Sequence, residues 1–296
     1  MKDRRVAVLG AGPAGLAAAM QLKRQGREPL LLEGSRPGGL LLNANLVENY
    51  PGFPGGISGQ ELVQLFLRQA RGLGVVITPA RVNELNFSGD RFQIETDRGS
   101  FFAEFVVAAT GTKPKPLTGV VVGDSARGDL YDHVVSLRDL RSKKVLIIGA
   151  GDAALDYALN LARFNQVVIC NRGTRVKGLG LLWERVRAES KIEYRDRHQI
   201  REITRARGGR LHVQAEFQDE FISLEVDAVL AAVGRRPALA YMSPGIRERL
   251  SGLREEGRLF LAGDIHNDLY RQTAIAVGDG VKAAMEIEKS AQEVEG

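Results

Sequence analysis

Val6-Ala-Val-Leu-Gly-Ala-Gly-Pro-Ala-Gly-Leu-Ala-Ala-Ala-Met20 decides the fold, because the chain carries it twice. The second copy reads Val145-Leu-Ile-Ile-Gly-Ala-Gly-Asp-Ala-Ala-Leu-Asp-Tyr-Ala-Leu159. In both, a short apolar run meets a glycine turn and passes into an alanine-rich helix. Such runs with glycine-bounded ends predict buried parallel strands. In the first copy Gly10 makes the sharp turn, Gly12 lets a pyrophosphate approach the backbone, and Gly15 packs helix against strand. Pro13 and Ala14 complete that turn. The helix N-terminus then offers its unpaired N–H groups and partial positive charge to the anion.

Further along the chain each copy is closed by a second echo. Val106-Val-Ala-Ala-Thr-Gly-Thr-Lys-Pro114 returns as Val229-Leu-Ala-Ala-Val-Gly-Arg-Arg-Pro237. Between opening and closing, residues 75–104 and 199–225 alternate apolar and polar around short turns, which predicts antiparallel excursions. The residues after Pro237 are too few for a core of their own. They supply one more strand, Arg258–Asp264, and a closing helix over Gln272–Ala291, and return to the first half. The expected fold is therefore α/β, two Rossmann-like dinucleotide-binding domains with antiparallel β inserts. Residues 1–113 with 238–296 form the first, discontinuous dinucleotide-binding domain, residues 118–234 the second, and 113–118 and 234–240 are the linkers.

Composition agrees and narrows the function. Glycine is 34 of 296 residues, above the usual share of about 7%. The lone cysteine, Cys170, excludes a disulfide framework and an internal dithiol, and four scattered histidines give no metal site. No stretch is apolar for the ~20 residues a membrane span needs. The basic head before the first apolar run mimics a secretory signal, but the glycines at 10, 12 and 15 favour strand, turn and helix, and a cytoplasmic protein. A net charge of +5, with acids and bases interleaved, argues against a nucleic-acid module.

Glu33 ends the second strand, where a carboxylate accepts from ribose hydroxyls. In the second copy Gly149, Gly151, Asp152 and Ala153 form the turn, and Ala154 takes the third glycine's place. Its second strand, Gln166–Cys170, runs into Asn171-Arg172-Gly-Thr-Arg175-Val-Lys177, three cations with no acid among them. Cations at that place suit a 2′-phosphate and favour NADPH, with NADH possible. Two dinucleotide sites in one chain imply a flavin fed by a nicotinamide. Gly263-Asp264 ends a strand so that Asp264 can reach the flavin's ribityl chain.

These stretches resemble the low-molecular-weight thioredoxin reductase family over nearly the whole chain. Gly38-Gly39-Leu40, Glu48-Asn49-Tyr-Pro-Gly-Phe-Pro54, Ala109-Thr110-Gly111, Ala262-Gly-Asp264 and Tyr270-Arg-Gln272 carry the likeness, with Gly278-Asp-Gly280. The resemblance implies FAD in the domain of residues 1–113 and 238–296, NAD(P)H, by preference NADPH, in that of residues 118–234, and a homodimer built on the FAD halves. It implies Asn49, Asp264, Arg271 and Gln272 around the flavin, with Gly39, Leu40, Ala109, Thr110, Gly111, Gly263 and Thr273 in the same cofactor site. Where the family carries His-Arg-Arg and a further base for the 2′-phosphate, this chain has Asn171, Arg172, Gly173 and Lys177.

The family's Cys-x-x-Cys is missing. Counted back from Val145 without a gap, its places hold Asp132-His133-Val134-Val135. Around them the chain resembles, in part, thioredoxin-reductase-type ferredoxin/flavodoxin–NADP reductases, whose aromatic C-terminal cover has no counterpart in the polar stretch 286–296. His133 is the candidate proton donor, since imidazole titrates near neutral pH, with Asp132 beside it. The expectation is an enzyme passing hydride from NADPH to FAD and on to an acidic carrier such as ferredoxin or flavodoxin. The alternatives are an atypical disulfide reductase that uses substrate thiols, and a nucleotide sensor with little turnover.

Overall fold

In a computed structural model the structure describes residues 2–295, with side chains for 5–292. Met1 and Gly296, the outer limits of the expected first domain, lie outside the described residues. The chain divides into two compact units. One comprises Met1–Leu42, Val47–Lys113 and Arg236–Gly296, the other Asn43–Leu46 and Pro114–Arg235.

In the first unit, β1 (Lys2–Leu9) turns into α1 (Pro13–Arg24), and β2 (Leu30–Glu33) lies parallel beside β1. Proline at the first helical position starts α1 without losing a needed N–H, and Lys23 and Arg24 complement its C-terminal dipole. The second helix, α2 (Gly59–Gly72), opens on a reciprocal cap. Glu61 N–H donates to Ser58 Oγ, and Ser58 N–H donates to the Glu61 carboxylate. There follow β3 (Ile77–Pro79), β4 (Val82–Ser88), β5 (Arg91–Thr96) and the ten-residue β6 (Gly99–Ala108). β7 (Thr112–Pro114) leads out of the unit.

The second unit holds β8 (Val121–Val122), β9 (Leu130–Tyr131), β10 (Lys144–Ile148), α3 (Asp152–Ala162), β11 (Gln166–Cys170), α4 (Gly180–Ala188) and β12 (Ile192–Arg195). Then come β13 (Gln199–Arg205), β14 (Leu211–Phe217), β15 (Glu220–Val226) and β16 (Ala228–Ala231). The chain returns through β17 (Arg235–Pro237), which pairs with β7 as a two-stranded ribbon. It finishes in the first unit with α5 (Pro244–Glu248), α6 (Leu250–Glu255), β18 (Leu259–Leu261) and α7 (Thr273–Glu295).

Each unit is built on parallel strands. The first sheet runs β3-β2-β1-β6-β5-β4, and β18 joins β6. The second runs β12-β11-β10-β16-β9, parallel throughout. Val6–Leu9 and Val145–Ile147 are wholly shielded, as strands covered on both faces must be. At roughly 1.5–3 kcal/mol per large apolar side chain removed from water, these runs each contribute several kcal/mol to their core.

The antiparallel parts differ in how they attach. Residues 99–103 of β6 close a meander with β5, while residues 106–108 take β18, so one long strand serves both arrangements. The second insert, β13 to β15, forms its own sheet and gains β8 as a fourth, parallel strand. A two-residue strand such as β8 carries no periodicity to read.

Candidate functional site

The first glycine turn is built by close backbone approach. Gly10 has φ +100°, and a Cβ there would stand 2.5 Å from the Ala109 carbonyl oxygen. A Cβ on Gly15 would stand 1.8 Å from the Gly10 oxygen. Gly12 differs: its nearest neighbour is Gly39 Cα, 4.0 Å from the Cβ position. Gly12 and Gly39 thus face each other across an aisle that any side chain would fill. Pro13 is half-buried and Ala14 buried behind the turn, and Leu40 lies half-buried in the short 3₁₀ turn Gly39–Asn43.

Glu33 stands at the mouth of this turn. Ala11 N–H and Ser35 N–H each donate to one of its carboxylate oxygens, both at 2.8 Å. The bonds fix the carboxylate in place and leave each oxygen a further lone pair. Asn49 and Gln272, far apart in sequence, are joined by a 2.8 Å bond from Asn49 Nδ2 to Gln272 Oε1. Arg271 is half-buried beside Gln272, and Thr273 opens α7. Thr110 Oγ1 donates to the Ala238 carbonyl, which ties the Ala109–Gly111 turn to the returning chain.

One residue of this region carried no reading of its own in the sequence. Asp279, in α7, accepts from Gly263 N–H at 3.0 Å and from Asn267 Nδ2, and its Oδ2 lies 3.3 Å from His266 Nε2. It therefore holds the Gly263-Asp264 turn, Gly263 being at φ +79° and Asp264 half-buried. The only signal for it was its place inside the Gly278-Asp-Gly280 stretch.

The second turn repeats the first. Gly149 is at φ +125°, and a Cβ on it would meet the Ala232 oxygen at 2.4 Å, whereas Gly151 faces open space. Asp152 Oδ1 accepts from Leu179 N–H at 2.7 Å, and Ala153 is exposed. Asn171 is buried, and its side chain is turned into the protein. Its Nδ2 donates to the Arg175 carbonyl and the Tyr194 hydroxyl, and its Oδ1 accepts from Gly173 N–H. It shapes the loop that presents Arg172 and Lys177, both exposed.

In the second unit His133 and Asp132 sit within a polar cluster. Asn43 Oδ1 accepts from Val135 N–H at 3.2 Å, so Nδ2 is the end that faces His133 Nδ1, at 3.3 Å. An amide nitrogen only donates, so Nδ1 accepts and the imidazole proton rides on Nε2. The Asp132 carboxylate is 3.6 Å from that Nε2. Burial lowers the His133 pKa, Asp132 opposes this, and Arg235 adds to it. Tyr157, buried nearby, has its hydroxyl pKa raised by burial. Asn43 was not singled out in the sequence; nothing local distinguishes it from other loop asparagines.

Cys170 ends β11 with 1% of its surface exposed, and burial pushes its thiol up to about 12. Among the described residues, no group of three or more His, Cys, Asp or Glu side chains gathers to hold a metal, and no helix is long and apolar enough to cross a membrane.

The sequence profile of the pyridine nucleotide-disulphide oxidoreductase family matches residues 4–280. The chain belongs to that family. It is 30% identical over 319 residues to thioredoxin reductase 1, mitochondrial, of Arabidopsis thaliana, covering 99% of this chain and 85% of the relative. The thioredoxin reductase of Rickettsia conorii is 29% identical over 303 residues, covering 96% and 97% of the two chains. Among solved structures, the thioredoxin reductase of Lactococcus lactis superposes with a TM-score of 0.86 at 28% identity, covering 98% of this chain and 99% of the other. The pyridine nucleotide-disulphide oxidoreductase described here is thus an NAD(P)H-dependent flavoprotein of the thioredoxin reductase type, whose cofactors are FAD and NADPH. Its glycine turns have the shape such groups require: Gly12 and Gly39 leave an aisle free of side chains, and Gly151 is open. The carrier-protein acceptor, ferredoxin or flavodoxin, finds no support in these relatives, and the disulfide-directed alternative fits the family better.

Proposed function

We propose that this family member is a disulfide reductase without a dithiol of its own, the acceptor bringing both sulfurs. The net reaction is NADPH + H⁺ + RSSR → NADP⁺ + 2 RSH. Kinship with proteins named thioredoxin reductases supports the disulfide, and the observation that carries the rest is Cys170. It is the chain's one cysteine, and a buried thiol shifted to about 12 supplies no thiolate at neutral pH.

In this reading the unit with Gly10–Gly15 binds FAD. Gly12 and Gly39 leave room for the pyrophosphate, Glu33 holds the ribose, and Asn49, Asp264, Arg271 and Gln272 orient the flavin. The unit with Gly149–Ala154 binds NADPH, with Arg172 and Lys177 directed at its 2′-phosphate. Bound flavin supplies the two-electron relay between nicotinamide and acceptor. The protein's part is to position the reactants and steady developing charge. His133, its tautomer held by Asn43, presents a neutral Nε2–H beside Asp132 as a hydrogen-bond donor to the departing thiolate, whose proton comes from solvent.

A homodimer is part of the same proposal, supported by the large apolar side chains that α7 and the preceding loop expose: Leu269, Tyr270, Ile275 and Met285. So is a cytoplasmic location, in keeping with a free thiol and no disulfide framework.

The test is an anaerobic titration of the FAD-loaded protein with NADPH and then NADH, followed by flavin absorbance. The reduced protein is then mixed with oxidised thioredoxin, low-molecular-weight disulfides, ferredoxin and flavodoxin in turn. Reoxidation by a disulfide faster than by dioxygen supports the proposal. Reoxidation by the carrier proteins alone overturns it.

A further inference from the structure

At Gly173 in the Asn171–Lys177 loop the resembled family has an arginine and this chain has no side chain. Sterics do not demand glycine there. No positive φ is required, and the nearest atom to a Cβ on Gly173 is Asn171 Oδ1 at 3.9 Å. Arginine would be accommodated there, and the loop's own exposed cations, Arg172, Arg175 and Lys177, stand at other positions.

The neighbouring strand brings another cation. β12 lies parallel to β11 with Cys170 opposite Arg195, so the loops that leave the two strands run side by side. Three backbone bonds zip them together. Asn171 N–H donates to the Arg195 carbonyl at 2.9 Å, Arg197 N–H to the Gly173 carbonyl at 3.1 Å, and His198 N–H to the Asn171 carbonyl at 2.9 Å. Arg197 is therefore bonded directly to the residue that lacks the cation.

Its conformation and surroundings set Arg197 apart from the other bases there. Its φ of +55° is left-handed, a region non-glycine residues enter only against steric strain. The guanidinium sits 5.4 Å from the centre of the Phe217 ring, and the His198 ring stacks on the same phenyl at 4.6 Å. The Asp196 carboxylate is 3.6 Å from Arg197 Nε, an exposed pair that gains little in water. Arg195, by contrast, is held by Glu193 at 2.7 Å.

We propose that Arg197 replaces the arginine missing at Gly173 and completes the 2′-phosphate subsite with Arg172 and Lys177, making it a determinant of NADPH over NADH. Arginine suits the task because its planar fork binds phosphate oxygens in pairs. The inference rests on the proposed use of the second unit for NADPH, and the test separates the two.

Arg197→Asn is the variant of choice, since asparagine tolerates left-handed φ; an unchanged melting temperature verifies that the loop is intact. Binding of adenosine 2′,5′-bisphosphate and of AMP is measured by calorimetry, beside KM for NADPH and NADH. The expected result is a loss of about tenfold, some 1.4 kcal/mol, in bisphosphate affinity and a rise of about tenfold in KM for NADPH. AMP affinity, KM for NADH and kcat stay put. Gly173→Arg added to Arg197→Asn restores the preference. A wild-type protein that prefers the bisphosphate, and an Arg197→Asn variant that keeps that preference, overturn the role of Arg197 alone. A wild-type protein that binds the bisphosphate no better than AMP overturns the NADPH reading and this inference with it.

Discussion

Cys170 and His133 mark two opposite effects of burial on a titrating side chain. For the Cys170 thiol, burial disfavours the anion and pushes the pKa up to about 12. Thiol reagents at pH 8 are therefore expected to leave the native protein unlabelled and to modify one group per chain once it is unfolded in denaturant. Cys170→Ala should keep full NADPH-dependent turnover at a stability loss of about 1 kcal/mol; a loss of turnover would assign the thiol a chemical role. For His133 burial disfavours the cation, so the folded pKa falls below the ordinary 6.5. The unfolded chain then binds the proton more readily. His133 thus contributes stability that is present above pH 6.5 and is lost as the pH falls through that value toward the lower folded pKa. Thermal melts from pH 7.5 to 5 should show a steeper acid decline for the wild type than for His133→Gln. Parallel curves would place no titration at this residue.

At the scale of elements, the helices α1 and α7 are locked by glycine. A Cβ on Gly280 would stand 2.1 Å from the Ala14 oxygen, backbone that cannot give way. Gly280→Ala should therefore lower stability by about 1–3 kcal/mol and speed the release of FAD, because it displaces the helix that follows the first glycine turn. Gly278, two residues earlier, has nothing within 4 Å, and Gly278→Ala should be neutral or slightly stabilising by helix propensity. Melting temperature and retained flavin absorbance after gel filtration separate the pair. A Gly280→Ala variant as stable as wild type would mean that the two helices can slide apart at little cost. Much at this scale was readable in advance. The strand–turn–helix units follow from apolar runs and glycines within one stretch of chain, and Glu33 from its place at a strand end. The role of Asp279 was not readable, since its three partners lie on the β18–α7 connection and meet it only once that chain has folded back.

On the scale of the whole molecule, the chain mass is 32.3 kDa, and light scattering should return twice that value if the apolar side chains exposed by α7 are covered by a second copy. A monomer at micromolar concentration would remove the homodimer from the proposed function. The double glycine turn, the closing echoes and the single cysteine were enough to settle a two-Rossmann flavoprotein with no dithiol. Those features are local: a φ near +100°, an apolar run or a missing thiol means the same wherever the segment ends up. Which side chains meet was decided only in three dimensions. Asn171 stands where a ligand contact was expected, and its Nδ2 donates to Arg175 and Tyr194 while its Oδ1 accepts from Gly173. The bond from Asn49 to Gln272 and the one from Arg197 to Gly173 each join residues from separate parts of the chain. Such pairings depend on strand register and on where distant loops emerge, and neither is encoded in the spacing of residues along a single segment.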